Sequence, residues 1–209
     1  MSRTRRAARQ AARVLLVAGV LALGYVAYVV INARAYQAIE QGRLERAKRD
    51  AAVAPAPKPA APAPVEGGSI GEIQIPRLGL TAIVVEGDSA AILRRAVGHL
   101  ADTALPGESG NVVLAGHRDT FFRPLKDVHA GDAITLKTRD GDVEYLVEST
   151  AVVPPSDVRV LQPTGGHTLT LITCFPFYYL GSAPDRFIVR AREIEGHTVS
   201  VGNTQSVSR

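Results

Sequence analysis

The chain is poor in cysteine, with Cys174 the only one among its 209 residues. A single thiol cannot form an intrachain disulfide, and it cannot supply the several cysteine ligands of a structural zinc site. A lone cysteine is compatible with a reducing cytoplasm and also with an oxidising exterior where the thiol stays free for use. Disulfide scaffolds and cysteine-based zinc folds are therefore excluded, and any thiol chemistry must take place at Cys174.

A basic folded domain is also lacking, although the formal net charge of the chain is +4. The first 50 residues contain ten Lys/Arg and three Asp/Glu, whereas residues 51–209 contain fourteen and seventeen. The positive charge belongs to the N-terminal region, and the remainder of the chain is mildly acidic. Since nucleic-acid binding depends on a basic surface, we expect no nucleic-acid partner.

Charged residues are absent from positions 14–31, which form an apolar run of 18 residues. At about 1.5 Å per residue, a helix of this length spans roughly 27 Å, close to the thickness of a bilayer's hydrocarbon core. Five arginines and no acid precede the run, which favours a cytoplasmic N-terminus and an exported remainder. We predict a basic cytoplasmic tail at 1–13 and a transmembrane signal anchor at 14–31. The alternative is a signal peptide cleaved after Ala35.

Residues 32–68 are predicted to contain no packed core. Positions 34–50 suit a short polar helix, and positions 51–64 are almost entirely Ala and Pro. An Ala/Pro-rich segment favours extended polyproline geometry and would act as a semi-rigid spacer that holds the following domain off the membrane. We expect the folded domain to cover residues 69–195, with a C-terminal tail at 196–209.

Short strands with few helices dominate the pattern of residues 69–195. The apolar and β-branched runs that predict strands lie at 70–75, 80–85, 111–115, 133–137, 143–153, 168–173 and from 186 onward. A short helix capped by Asp88 is predicted over 88–95, and a helical turn over 121–128. Many short strands at regular spacing indicate a closed β-barrel.

Cys174 lies at the end of a predicted strand, with two candidate partners elsewhere in the chain. Arg186 begins the next predicted strand, and His117 follows the strand at 111–115. A lone cysteine is often an inert buried side chain. A nearby cation such as Arg186 or a protonated histidine, however, favours the reactive thiolate. The three side chains can meet in space although they are distant along the chain.

Three motifs carry a family resemblance: Leu-Ala-Gly-His117-Arg-Asp-Thr, Thr-Leu-Ile-Thr-Cys174, and Ala-Pro-Asp-Arg186-Phe-Ile-Val. In this order they resemble the signature of the sortases, which are membrane-anchored cysteine transpeptidases of bacteria. The residues that follow Cys174 are most similar to the class D branch. The resemblance covers about residues 70–193 and implies an eight-stranded β-barrel, in agreement with the strand pattern.

The resemblance implies a reaction and a role for each of the three residues. Cys174 would attack an LPxTG-like sorting motif of an exported protein and form a thioester, which an amine of a cell-wall peptide or a pilin lysine then resolves. His117 would transfer protons and Arg186 would stabilise the oxyanion. The enzyme would be held in the bacterial plasma membrane by residues 14–31. No cofactor is implied, and the scattered acids of the domain predict no metal site.

Two other functions fit the same residues. A cysteine peptidase would deliver the acyl group to water, and a non-catalytic, membrane-tethered β-barrel would bind peptides without using Cys174. An L,D-transpeptidase also joins cell-wall amines through a cysteine. Its histidine and cysteine, however, lie close together in a Gly/Ser-rich segment that this sequence lacks.

Several further residues near the motifs are candidates for supporting roles. Thr173 could donate its hydroxyl to the oxyanion or shape that site, and Arg118 and Asp119 could orient His117. The remaining histidines are expected to lie outside the chemistry: His99, His129, His167 and His197. Aromatic residues could line a substrate groove or pack the end of the barrel: Phe175, Phe177, Tyr178 and Tyr179.

Overall fold

The computed structural model describes residues 2–53, 64–178 and 181–194. Most of the predicted Ala/Pro segment, the predicted C-terminal tail, Tyr179 and His197 lie outside these ranges. A long helix α1 (Ser2–Val53) precedes the other elements. By length and composition alone, its part between Arg13 and Arg49 is the one helix of the described residues that could cross a membrane.

Eight strands follow α1 and close into a barrel. The strands are β1 (Ser69–Ile75), β2 (Leu80–Glu86), β3 (Val97–His99), β4 (Gly110–Ala115), β5 (Ala133–Thr138), β6 (Gly141–Val153), β7 (His167–Phe175) and β8 (Asp185–Glu193). Their order around the barrel is β1-β2-β3-β4-β7-β8-β6-β5. Pairing of β5 with β1 completes the ring. The predicted fold, a closed eight-stranded barrel preceded by a long apolar helix, is confirmed.

The helices of the barrel are short and lie in its connections. A four-residue helix α2 (Ala90–Leu93) joins β2 to β3, and 3-10 helices lie at Pro76–Leu78, Arg123–Asp127 and Val158–Leu161. The predicted cap of α2 is wrong. Ser89 occupies the N-cap position and makes no side-chain capping bond, so Asp88 lies one residue too early to act as the cap.

Strand β3 was not predicted, because three residues are too few for a periodic pattern. Its pairings nevertheless connect β2 to β4 in the closed sheet. It lies parallel to β2 and antiparallel to β4, with His99 opposite Leu114. Strand β4 in turn runs parallel to β7, with Ala115 opposite Ile172. The C-terminal ends of β4 and β7 therefore lie side by side at one end of the barrel.

The core lies inside the barrel and consists of the inward-facing side chains of the strands. Its largest fully buried members are Tyr145 and Phe122. It also contains aliphatic residues of every long strand: Ile73, Ile75, Leu80, Val84, Leu114, Ile134, Leu136, Val147, Leu169, Leu171 and Val189. Each buried aliphatic side chain contributes roughly 1.5–3 kcal/mol to the free energy of unfolding. This core gives the strand ends a rigid support.

Helix α1 packs against the outer wall of the barrel beyond its apolar run. Leu44 is only 7% exposed. Tyr36 packs against a small second cluster of buried residues: Ile83, Val85, Ile92 and Ala96. Hydrogen bonds join the helix to the barrel along its length. Gln37 accepts from the Ile83 N–H and donates to the Arg95 carbonyl, Gln41 donates to Glu72, and Lys48 donates to Asp142.

Helix α1 therefore contacts the barrel before the predicted Ala/Pro spacer begins, and most of that spacer lies outside the described residues. Gln37 of α1 bonds to two backbone groups of the barrel: the Ile83 N–H donates to its Oε1 over 2.7 Å, and its Nε2 donates to the Arg95 carbonyl over 2.6 Å. Sequence periodicity gives no sign of such long-range polar contacts. The first described contact of α1 with the barrel, at Tyr36, lies five residues beyond the end of the apolar run at Ile31.

Candidate active site

Cys174 and Arg186 face each other on neighbouring strands. Strands β7 and β8 pair antiparallel, and their register places the Cα of Cys174 directly opposite the Cα of Arg186. Directly opposite residues have their Cβ atoms about 4.5–5.5 Å apart. The predicted meeting of the thiol and the guanidinium across the connecting loop is therefore what the strand register produces.

His117 reaches the same end of the barrel because β4 runs parallel to β7. The pairing continues one residue past β4, where Gly116 N donates to the Ile172 carbonyl over 3.1 Å. The Thr173 hydroxyl then donates to the Gly116 carbonyl over 2.7 Å. These two bonds fix the backbone just before His117 against the strand that carries Cys174.

Thr173 therefore shapes the site without facing the reacting groups. Its side chain is 2% exposed, and its hydroxyl proton is already directed at Gly116. The suggestion that this hydroxyl stabilises an oxyanion is wrong, because the strand alternation points Thr173 to the barrel side while Cys174 points the other way.

Gly116 permits a close approach that a larger residue would prevent. A Cβ atom at this position would lie 2.8 Å from the ring of Phe122, which is fully buried. After Gly116 the chain turns sharply, and the Phe122 N–H donates to the His117 carbonyl over 3.0 Å. The buried ring thus holds the turn that presents His117, a contact that the motif alone did not reveal.

One cavity of about 280 Å³ brings the predicted residues together. Cys174, His117 and Arg186 all line it, and all three side chains are half-buried. The other lining residues come from the turn after β4 and from the β7–β8 loop: Arg118, Asp119, Gly181, Ser182 and Ala183. The volume is near the lower end of the ~300–1,000 Å³ typical of ligand clefts.

Positive charge predominates around the thiol. Arg186 and Arg118 line the cavity with one exposed carboxylate, Asp119. The Arg186 guanidinium is held by backbone carbonyls, with Nη1 donating to the Asp185 oxygen over 3.0 Å. A fixed cation near a thiol favours the thiolate and favours any anion that forms beside it. The role of Asp119 as a partner of His117 stays a prediction.

Arg118 connects the two segments that form the walls of the cavity. Its Nη2 donates to the Gly181 carbonyl over 3.0 Å and so links the turn after β4 to the β7–β8 loop. The sequence suggested only that Arg118 could orient His117. Glycine and proline in the β7–β8 segment predicted a loop, but they gave no sign of where that loop lies.

The aromatic residues after Cys174 divide into two groups. Phe175, Phe177 and Phe187 form a cluster whose ring centroids are 5.3–6.3 Å apart, and Phe177 and Phe187 also pack against the core. Tyr178 is 73% exposed, and Arg123 lies 5.4 Å from its ring centroid. The phenylalanines therefore pack at the end of the barrel. Of the described aromatic residues in this segment, only Tyr178 faces solvent.

His99 is buried away from the cavity lining, as expected. Its Nδ1 lies 2.8 Å from a carboxylate oxygen of Glu86, and its Nε2 lies 2.9 Å from the Ala104 carbonyl oxygen. Both ring nitrogens are therefore engaged by acceptors. His129 and His167 lie at exposed positions, also as expected.

Comparison with known proteins gives a consistent result. Residues 73–194 match the family model described as the sortase domain. Among curated proteins, Sortase D of Bacillus subtilis is 31% identical over 191 residues, which cover 86% of this chain and 96% of the relative. Sortase SrtE1 of Streptomyces coelicolor is 32% identical over 154 residues, covering 65% of this chain and 43% of the relative.

Solved structures with the same fold include a Sortase D5 transpeptidase from Clostridium perfringens. It superposes with a TM-score of 0.58 at 30% identity, over 72% of this chain and 88% of that chain. Sortase A from Corynebacterium diphtheriae gives a TM-score of 0.59, also at 30% identity, over 66% of each chain.

Proposed function

This chain belongs to the sortase family of cysteine transpeptidases, and we propose that Cys174, His117 and Arg186 carry out its reaction. Sortases cleave a sorting motif of an exported protein and join the new carboxyl end to an amine of the cell wall or of a pilin. In this proposal Cys174 is the nucleophile, His117 transfers protons, and Arg186 stabilises the negatively charged oxygen.

The observation that carries the proposal is the shared cavity of these three side chains. A nucleophile, a proton carrier and a fixed cation from three different strand ends line the same 280 Å³ space. Covalent catalysis by a thiol needs this combination, because the thiolate must form, the leaving amine must be protonated, and the carbonyl oxygen must be stabilised as it becomes negative.

The first half of the reaction breaks the peptide bond. The Cys174 thiolate attacks the carbonyl carbon of the sorting motif, and the carbonyl oxygen becomes an oxyanion beside the Arg186 guanidinium. When the carbon–nitrogen bond breaks, the His117 imidazolium gives its proton to the departing amine. A thioester on Cys174 and a neutral imidazole remain.

The second half transfers the acyl group to the acceptor. The amine of the acceptor attacks the thioester carbon and loses a proton to His117, and the Cys174 thiolate leaves. The starting charges of thiolate and imidazolium are restored. Water can enter the same step, and it would give hydrolysis in place of transfer.

The partners follow from this reaction and from α1. We propose exported proteins with an LPxTG-like motif as donors, and a cell-wall peptide amine or a pilin lysine as acceptor. The apolar positions of α1 are exposed in the structure, including Leu15, Leu21 and Leu23 at 68–73%. We propose that residues 14–31 span the plasma membrane once, uncleaved, with the basic N-terminus in the cytoplasm and the barrel outside.

The proposal is tested with the full chain in detergent micelles, because residues 36–48 contact the barrel and belong with it. The protein is incubated with a small library of LPxTG-like peptides, with and without an amine acceptor, and products are identified by mass spectrometry. Cys174→Ala serves as the control, since it removes only the thiol.

We expect an acyl adduct on Cys174 and a product that requires the amine, both absent from Cys174→Ala. An adduct that water alone resolves would indicate a peptidase. Binding of peptides that Cys174→Ala leaves unchanged, with no adduct in the wild type, would contradict the catalytic proposal and indicate a binding module.

A further inference from the structure

The way α1 packs on the barrel places a basic surface at a defined height above the membrane. This argument rests on the proposed membrane span at 14–31. Tyr36 lies five residues beyond Ile31, the last residue of the apolar run, so its height above the hydrocarbon core is about 7.5 Å along the helix axis. The polar headgroup layer on each side of a bilayer is itself about 5–7.5 Å thick.

Contacts at the level of Tyr36 bring one part of the barrel to this height. The Arg95 guanidinium lies 5.0 Å from the centroid of the Tyr36 ring. The Gln37 side-chain amide donates to the Arg95 carbonyl over 2.6 Å. Because α1 is one unbroken helix from Ser2 to Val53, these contacts fix the segment around α2 close to the headgroup layer.

The opposite end of the packed part of α1 shows the direction of the barrel. Lys48 donates to Asp142 over 3.1 Å, beside the β5–β6 turn that contains Arg139. Lys48 lies twelve residues beyond Tyr36, which is about 18 Å further along the helix. The α2 end of this wall therefore faces the membrane, and the β5–β6 turn lies well above it.

Three arginines are exposed at the α2 end. Arg94 and Arg95 follow α2 directly, and both are exposed. Arg34 is also exposed, and it lies three residues beyond Ile31, which places it within the headgroup layer. Exposed acids also lie around α2: Asp88, Glu66 beside Gly87, and Asp102 in the cavity that Asp88 lines. We call Arg34, Arg94 and Arg95 the membrane-proximal arginines.

We propose that the membrane-proximal arginines bind the phosphates of anionic phospholipids and so fix the orientation of the barrel on the membrane surface. A guanidinium has several donors in a planar fork, which matches a phosphate in geometry and charge. Anionic headgroups of the outer leaflet would also attract basic residues at this height, which is within about 8–10 Å, the distance over which a charge acts before salt near physiological strength screens it. The apolar run sets the height, and the arginines supply the lipid contact.

The test uses the full chain in nanodiscs with photoactivatable lipids. One phosphatidylglycerol probe carries its diazirine in the headgroup and another in the acyl chain, and a phosphatidylcholine headgroup probe is the neutral comparison. After illumination, lipid adducts are mapped by mass spectrometry. The variant Arg34→Gln/Arg94→Gln leaves Arg95 on Tyr36, and Arg139→Gln is the matched control at the far end of the wall.

We expect the phosphatidylglycerol headgroup probe to label residues 89–96. Labelling should fall about fivefold for each arginine removed and stay unchanged in Arg139→Gln. Equal labelling by the phosphatidylcholine probe, with no effect of the double variant, would overturn the proposal. Labelling of residues 14–31 by the acyl-chain probe, with no labelling of residues 89–96, would also overturn the lipid contact. That result would still support the proposed membrane span. Absence of both adducts would overturn the lipid contact and the membrane span together.

Discussion

Two histidines lie near neighbouring strand ends of this barrel in opposite surroundings. His99 ends β3 and is 1% exposed, and both of its ring nitrogens face acceptors. His117 follows β4, the strand that pairs with β3, and lines a cavity with Cys174 and Arg186. Burial and full hydrogen bonding suit a histidine that stabilises the fold, whereas partial exposure beside a thiol suits one that transfers protons.

The proton positions at His99 follow from its partners. A backbone carbonyl can only accept, so Nε2 donates to Ala104, and a second hydrogen bond of 2.8 Å joins Nδ1 to the Glu86 carboxyl group. Removing the ring would leave the carboxyl group of Glu86, itself 6% exposed, without this partner. The comparison therefore predicts that changes at one histidine reduce activity and changes at the other reduce stability.

The largest effect is expected from His117→Gln. Loss of the proton carrier should lower kcat/KM by about 10²–10⁴-fold. The free energy of unfolding should change by less than about 0.5 kcal/mol, because the side chain is half-buried and faces a cavity. Steady-state transfer assays and urea unfolding measure the two quantities. A large loss of stability with normal activity in the folded fraction would contradict the assignment.

Arg186→Gln is expected to lower kcat by about 10²–10³-fold, since a fixed cation at a developing oxyanion contributes in the transition state. The backbone at this position is set by strand pairing with Cys174, which the substitution keeps. Single-turnover acylation of Cys174 isolates the affected step. If only KM rose while kcat stayed constant, Arg186 would bind substrate and not the oxyanion.

His99→Leu reverses the pattern. It leaves the Glu86 carboxyl group buried without its partner, which should cost about 2–3 kcal/mol of unfolding free energy. The double variant Glu86→Leu/His99→Leu should recover part of this loss, since no unpaired polar group remains. Activity of the folded protein should stay near that of the wild type in both. A specific loss of kcat in His99→Leu at full stability would break the comparison.

An ion pair between buried Asp132 and half-exposed Arg77, outside the cavity lining, gives a prediction about the pH dependence of stability. Asp132 is 6% exposed in its side chain and accepts from Arg77, whose Nη2 lies 2.6 Å from Oδ2. This hydrogen bond lowers the pKa of Asp132 below its ordinary value of 3.8. The carboxylate therefore contributes to stability above pH 3.8, and the contribution is lost as the pH falls through the pKa of the folded state.

Asp132→Asn should accordingly cost about 1–2 kcal/mol at pH 7, a modest value because Arg77 is half-exposed. At pH 3 the difference between variant and wild type should shrink, while transfer activity at pH 7 is unaffected. Urea unfolding at both pH values measures the effect. An equal difference at pH 3 and pH 7 would rule out the carboxylate charge as its cause.

The barrel and the three catalytic candidates could be predicted because each depends on local patterns. Alternation along β7 and β8 placed Cys174 and Arg186 at strand ends, and the motif around His117 supplied the third residue. The Gly116 contact with Phe122, the Arg118 link to Gly181 and the packing of α1 could not be predicted. Each joins parts of the chain whose approach is set only by the closed sheet or by tertiary packing.

The most direct test of the central claim, that Cys174 and His117 act as a pair, is the pH dependence of kcat/KM for amine-dependent transfer. The account predicts a bell-shaped profile, because the thiol must lose a proton while the imidazole must hold one. It also predicts that one limb of the bell disappears in His117→Gln and that both limbs persist in His99→Leu. A flat profile through neutrality, or a bell unchanged by His117→Gln, would contradict the pairing.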